Sequence, residues 1–306
     1  MRINIIKYTK NINRYKMKNF LYLNKNLVQY IICVVCILNY GSLLYGNNQS
    51  NEKILYIGIM QDKRGSAATY RPLIKYFELK GIKIKLSGYS SYRHAAEKFK
   101  NGKIDAMFAG SGVAAVMIIK GLAYPLVRPV SKEGWSTYWA VIIVPKSNKD
   151  FELSSKYMKS KKIICCALAS SGEFYCKSIL GKSKQLLIAG NHGNAISALD
   201  KHVADIAVVK NRVWDQVKNK YPNLKQIAKD KGENPNNTFI VSSKINKEIA
   251  EKIKNIFLGI GKDKSIEAEN IKKTMGISKY IITTKKDFKH TIQLLRKCEV
   301  DTNYNF

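Results

Sequence analysis

Cysteine and proline are scarce, six of each in 306 residues. Six cysteines in a chain this long do not make the dense disulfide framework that small secreted domains depend on. With 19 glycines and no repeating tripeptide, collagen-like and low-complexity classes are excluded as well. Acidic residues are also few, 22 Asp and Glu against 53 Lys and Arg, for a formal net charge of +31. Such a balance would attract nucleic acid or anionic lipid. The lysines are spread along the chain, however, with no dense basic block and no interleaved aromatic platform, so no nucleic-acid partner is expected. Long hydrophobic runs are missing too. Only one stretch is apolar enough to meet a bilayer, which excludes a polytopic membrane protein. What remains is a globular mixture, 45% hydrophobic and 25% charged, long enough for one large domain or two modest ones.

Catalytic patterns are absent in the same way. There is no GxxxxGK[ST], no GxGxxG and no GxSxG, and the four histidines (His94, His192, His202, His290) lack metal-ligand spacing. No enzyme, cofactor or metal is expected.

Residues 1–46 carry seven basic residues and no acidic one. Their apolar core, Leu27–Leu38, is short for a membrane span and suits the hydrophobic region of a secretory signal. Met17 is a second candidate start. Cys33 and Cys36 follow Ile32 and Val35, where lipid attachment needs a small residue, so they read as ordinary hydrophobes. Residues 1–46 are therefore a signal peptide or an N-terminal anchor, and the rest is periplasmic or otherwise extracytoplasmic.

Beyond Lys53, strand and helix alternate. Strands are expected at Ile54–Ile59, Ile82–Leu86, Ile104–Ala109, Thr137–Pro145, Lys162–Ala167, Gln185–Ala189, Asp205–Val209 and Thr238–Ser242. Helical stripes run through Leu73, Tyr76 and Phe77, ended by Gly81, and through Tyr92, Ala95, Ala96 and Phe99, ended by Gly102. Further helices cover Gly172–Leu180, Ile196–Val203 and Asn211–Lys220, and the chain after Ser242 reads as helix only, with stripes at Ile249–Phe257 and Phe288–Leu295. The expected fold is α/β, with two βα lobes flanking a cleft and joined by hinge strands near Tyr138–Val144 and Thr238–Ser242. Lobe 1 begins with residues 53–137, residues 138–242 form a hinge strand and lobe 2, and residues 243–306 return to lobe 1.

Ligands in such sheets bind where strands turn into helices. In Cys165–Phe174, Ser170 is placed to cap a helix with Glu173 completing a capping box, and Ser171-Gly172 is surplus to capping. Gly110, Ser111 and Gly112 form a second turn, His192 sits in a third, and Asn211 and Arg212 open a fourth helix. Vicinal Cys165 and Cys166 are expected to pack one to each face of a strand. A disulfide of Cys176 or Cys298 is allowed and unassigned.

The order of these pieces resembles the periplasmic phosphate-, phosphite- and phosphonate-binding proteins of ABC importers, with their type II periplasmic-binding fold. The matching segments are Ile57–Ile59, Arg71–Tyr76, Tyr92–Ala106, Phe108–Gly110, Tyr138–Val144, Ala169–Gly172, Asn191-His192 and Ala204–Val208. The family's Ser-Thr-Ser-Gly anion loop falls on Ala169–Gly172, with the first hydroxyl lost and Ser in place of Thr. Its Phe-Gly-Pro plus aromatic becomes Phe108–Gly110 with Ser111 and Val113. Aminoalkylphosphonate binders place an acid near Arg212, where this chain is cationic or amide. The resemblance implies a monomeric solute-binding protein whose small oxyanion ligand meets Gly110, Ser111, Tyr138, Ser170, Ser171, Gly172, His192, Asn211 and Arg212. Its partner would be an ABC transporter permease or, in the alternative reading of an anchored signalling module, a membrane sensor.

Overall fold

Strand β1 (Leu55–Met60) is apolar at five of six positions because it lies between two neighbours and is covered on both faces. It pairs in parallel with β2 (Ile84–Tyr89) and β3 (Ala106–Ala109). The computed structural model describes residues 54–60, 65–89, 91–148, 152–167, 169–180 and 186–305. The export segment expected over residues 1–46 lies outside them, as does Gln185. Among the described residues no helix is long and apolar enough to cross a membrane.

Helices α1 (Pro72–Leu79) and α2 (Tyr92–Lys100) connect these first strands, and α3 (Ser111–Ile119) follows β3. The chain continues through β4 (Ala123–Ser131), the two-residue β5 (Thr137–Tyr138) and β6 (Ala140–Pro145). Then come α4 (Ser155–Lys159), β7 (Ile163–Cys165), α5 (Ser171–Leu180), β8 (Leu187–Ile188), α6 (His192–Asp200), β9 (Ile206–Lys210), α7 (Asn211–Val217) and β10 (Leu224–Lys229). Strands β11 (Asn234–Pro235) and β12 (Thr238–Ser242), helices α8 (Lys247–Gly259) and α9 (Ile266–Met275), β13 (Ile277–Ile282) and α10 (Lys289–Lys297) complete it.

Two sheets result, in the orders β13-β4-β12-β3-β1-β2 and β10-β6-β9-β7-β8. They share one plan. In each, three parallel strands are followed by an antiparallel strand arriving from the other lobe, β12 in the first and β6 in the second. The crossings themselves are β5 and β11, which pair with each other as a two-stranded ribbon, Tyr138 opposite Asn234. This is the two-lobed type II periplasmic-binding arrangement, with a cleft between the βα lobes.

Two expectations are corrected, and one strand was unforeseen. The run Thr137–Pro145 is not one strand: it breaks at Trp139, where β5 leaves the ribbon and β6 enters lobe 2. The chain after Ser242 is not wholly helical, because β13 pairs with β4 at the edge of the first sheet. Strand β4 was hidden by Pro125 and Pro129, residues that cannot donate to a ladder and argue against an interior strand. The sheet accommodates them with a register step, so that Phe239 faces Val127 but Ile240 faces Pro125, while the bypassed Leu126 carbonyl accepts from the Thr283 N–H at 2.9 Å.

The core explains how the lobes meet. Buried side chains from α3 (Val113, Val116, Met117), α5 (Phe174, Cys176, Leu180) and α10 (Leu294, Leu295) belong to one cluster, so the C-terminal helix packs on both lobes. Between α3 and α5 the backbones approach so closely that a Cβ on Gly112 would lie 2.1 Å from the Ala169 carbonyl oxygen. Gly112 is needed for lobe-to-lobe contact, not only for approach to a ligand. Ala169 itself is held at φ 62°, a left-handed conformation unusual for alanine.

Candidate functional site

A cavity of about 300 Å³ opens where the two lobes face each other. Gly110 and Ser111 from the β3–α3 turn, Ser170 and Ser171 from the start of α5, and His192 from the start of α6 all line it. Three helices therefore aim their N-termini, with unsatisfied N–H groups and positive dipole ends, at one volume. The turns place them there because each follows the carboxyl end of a strand in its sheet.

The two lobes are stitched by hydroxyls. Tyr138 Oη lies 2.6 Å from Ser111 Oγ in lobe 1 and 2.6 Å from Ser171 Oγ in lobe 2, all three groups being buried. Each hydroxyl has a rotatable proton, so this bridge can hand its donors to an oxyanion in the cavity. Ser170 works differently: its Oγ accepts from the Glu173 N–H at 3.2 Å, the expected cap. The reciprocal half of the capping box is displaced by one residue, since the Glu173 carboxylate accepts from the N–H of Ala169 rather than that of Ser170. Glu173 is buried and paired with Lys177, which keeps its negative charge from facing the cavity unbalanced.

His192 Nδ1 accepts from the Lys210 N–H at 3.3 Å, which fixes the proton of a neutral imidazole on Nε2 as a donor. Lys210 is the cation that sequence reasoning passed over. It ends β9, its ammonium stands 4.3 Å from the Tyr138 ring centroid, and it donates to Asn236 Oδ1 at 2.6 Å. Its neighbours in the chain are not at this cavity. Asn211 Oδ1 accepts from the Trp139 N–H at 3.1 Å and holds the break between β5 and β6, and Arg212 lines an adjoining cavity. Gly172 faces away too, against the Val208 carbonyl of β9. Three of the nine candidate residues thus lie off the main cavity.

The remaining walls were not anticipated as site residues: Met60, Thr69, Tyr70, Tyr92, Asn236 and Asn237. Tyr70 leans on Phe108 with ring centroids 4.7 Å apart and its hydroxyl accepts from Asn237 Nδ2, so aromatic wall is present although the residue after Gly110 and Ser111 is not aromatic. The Asn-Pro-Asn-Asn run after Glu233 reads as turn chemistry. Asn237, at φ 44°, does adopt the left-handed turn conformation that asparagine tolerates. Among the described lining residues none is Asp or Glu. The four cysteines Cys165, Cys166, Cys176 and Cys298 are free thiols, and Cys166 lies just past β7 rather than within it. Burial pushes the Cys176 thiol up to about 12 and the Cys298 thiol up to about 11.

Residues 57–288 match the family described as ABC transporter, phosphonate, periplasmic substrate-binding protein. Among curated proteins none matches. Solved structures with the same fold include a binding protein component of an ABC phosphonate transporter from Pseudomonas aeruginosa, at 17% identity and TM-score 0.63, covering 83% of this chain and 90% of that one. PhnD1 from Prochlorococcus marinus, solved with methylphosphonate, aligns at 15% identity and TM-score 0.65 over 82% of this chain and all 100% of its own. A Xanthomonas citri protein solved with ATP aligns at 15% identity and TM-score 0.66, over 80% and 97%.

Proposed function

This chain belongs to the family of periplasmic substrate-binding proteins of ABC phosphonate transporters, and on that premise we propose that it captures a small oxyanion of the phosphonate, phosphite or phosphate type and delivers it to an ABC permease. One observation carries the ligand class: three helix N-termini, the hydroxyls of Ser111, Tyr138 and Ser171, His192 and Lys210 converge on one cavity, and among the described residues that line it none is Asp or Glu. A wall of donors with an ammonium among them suits a compact anion. Capture needs no covalent chemistry; hydrogen bonds from preoriented donors suffice.

The bound head would sit across the lobes, accepting hydrogen bonds from the Ser111 and Ser171 hydroxyls that now share the Tyr138 bridge. Ser170, already committed as a cap, contributes mainly through the N–H groups it orients. Lys210 supplies the charge that Arg212 was expected to supply. The experiment is a titration calorimetry series over methylphosphonate, phosphite, phosphate, sulfate and 2-aminoethylphosphonate. Methylphosphonate, phosphite or phosphate is expected to bind tighter than 2-aminoethylphosphonate, because a like-charge contact with Lys210 costs on the order of a few kcal/mol at intermediate dielectric. Tightest binding of the aminoalkyl compound would overturn the selectivity, and binding of none of the phosphorus oxyanions would overturn the ligand class.

A further inference from the structure

Next to the donor-lined cavity lies a second one of about 240 Å³, and Thr69, Tyr70, Asn236 and Asn237 line both. The far part of this second space is marked by Arg212 from α7 and Ser131 from the end of β4. Arg212 Nη2 is enclosed and has no hydrogen-bond acceptor among the described residues. Among the described residues lining the second cavity none is Asp or Glu. Two other enclosed cations have acidic partners: Arg128, whose Nε also lacks an acceptor, pairs through Nη1 with Asp287 at 2.9 Å, and Lys177 pairs with Glu173.

A guanidinium nitrogen enclosed in this way is costly to retain, since it has lost water without gaining an acceptor. Burial indeed pushes Arg212 below its usual range, with only Glu133, on the exposed loop before β5, opposing that push. A guanidinium presents a planar fork that matches a carboxylate or phosphoryl group in two parallel bonds. Placed one cavity away from a site for a phosphonate head, it is positioned for the other end of the same molecule.

We propose that the cleft is a two-part site, and that the physiological ligand is a phosphonate or phosphate ester bearing a second anionic group, held by Arg212 across the Tyr70–Asn236–Asn237 wall. This deepens the oxyanion reading and rests on it. Lys210 anchors the head and Arg212 the tail, and the shared wall between them, made of hydroxyl, amide and aromatic groups, passes a short linker of either polarity. An uncharged alkyl tail would leave the guanidinium unmatched. An ammonium tail would be repelled at both ends.

The test is a ladder of ligands on the full-length chain: methylphosphonate, phosphonoacetate, 3-phosphonopropionate and 4-phosphonobutyrate, each titrated by calorimetry at fixed ionic strength. At one linker length the carboxylate is expected to tighten binding about tenfold or more over methylphosphonate, the gain of one charge-assisted bidentate pair. Arg212→Gln should bring that ratio back to about one, and Arg212→Lys should keep part of it. Lys210→Gln separates the two cations, because it should weaken all four ligands while preserving the ratio. Methylphosphonate binding with no gain at any length overturns the two-part site alone, and so does a gain that survives Arg212→Gln. Failure of all four ligands to bind overturns the two-part site, and failure of phosphite and phosphate beside them overturns the oxyanion reading as well. The wild-type ladder separates these outcomes even where a variant fails to fold.

Discussion

Ser170 and Ser171 are adjacent in the chain and do different work. Ser170 Oγ caps α5, whereas Ser171 Oγ meets Tyr138 across the cleft. Changing both to Ala should weaken methylphosphonate binding by about 2–4 kcal/mol, as charge-assisted bonds are lost. Stability should fall by only about 1 kcal/mol, the usual cost of a lost cap. Calorimetry that finds affinity unchanged would remove the pair from the site. The buried thiols make stability depend on pH. Burial raises Cys176 from its ordinary 9.0 to about 12, so the folded chain keeps its proton where the unfolded chain has lost it. The associated stability is complete below pH 9 and drains away between pH 9 and about 12. Urea midpoints measured at about pH 8 and about pH 10.5 should show that loss, and Cys176→Ala should make it smaller. An equal loss in the variant would count against the thiol as its source.

At the scale of elements, the contact between the starts of α3 and α5 decides how the lobes meet. Both helices begin with serines after tight turns, and the absence of a side chain at Gly112 lets the Ala169 carbonyl come close. Gly112→Ala would insert a methyl 2.1 Å from that oxygen and must push the helices apart. The expected result is phosphonate binding weakened at least as much as by the paired serine changes, together with a loss of about 1–3 kcal/mol of stability from overpacking. Native affinity in this variant would show that the ligand does not need the two helix ends together. The βα units of both lobes were readable where strand and helix periods alternate, over residues 55–119 and 162–217. The strands that escaped, β4, β10, β11 and β13, pair with partners distant in the chain, as the Thr283 bond to Leu126 shows, and the five-residue α4 is too short to show a stripe.

For the whole molecule, the β5–β11 ribbon is the place where the chain passes between lobes twice, and α10 rests on both. Ligand capture by such a frame is expected to work as hinge closure, with bending concentrated at residues 137–139 and 234–237. Small-angle scattering with saturating methylphosphonate should then give a smaller radius of gyration than the same protein without it. A saturated sample with an unchanged radius would argue for a rigid cleft. The ribbon is short, two residues on each strand, so few hydrogen bonds have to be distorted as the lobes move.

The sequence by itself determined the α/β alternation, the two-lobe plan and the turns that meet at the cleft, because apolar periodicity and helix-start chemistry are local properties. Ser111, Ser170, Ser171 and His192 could be singled out on that basis, each standing at a strand-to-helix turn. Only the tertiary structure decided which residue of each turn faces the cavity. One step along the chain swings a side chain to another face, so at the end of β9 the ammonium of Lys210 entered while Asn211 went to the Trp139 backbone and Arg212 to the neighbouring space. The second half of the wall, Thr69, Tyr70, Asn236 and Asn237, comes from two segments far apart in the chain that are joined by the Asn237–Tyr70 bond at a separation of 167. No local pattern encodes such a meeting; it exists only once both sheets have formed and the ribbon has brought them face to face.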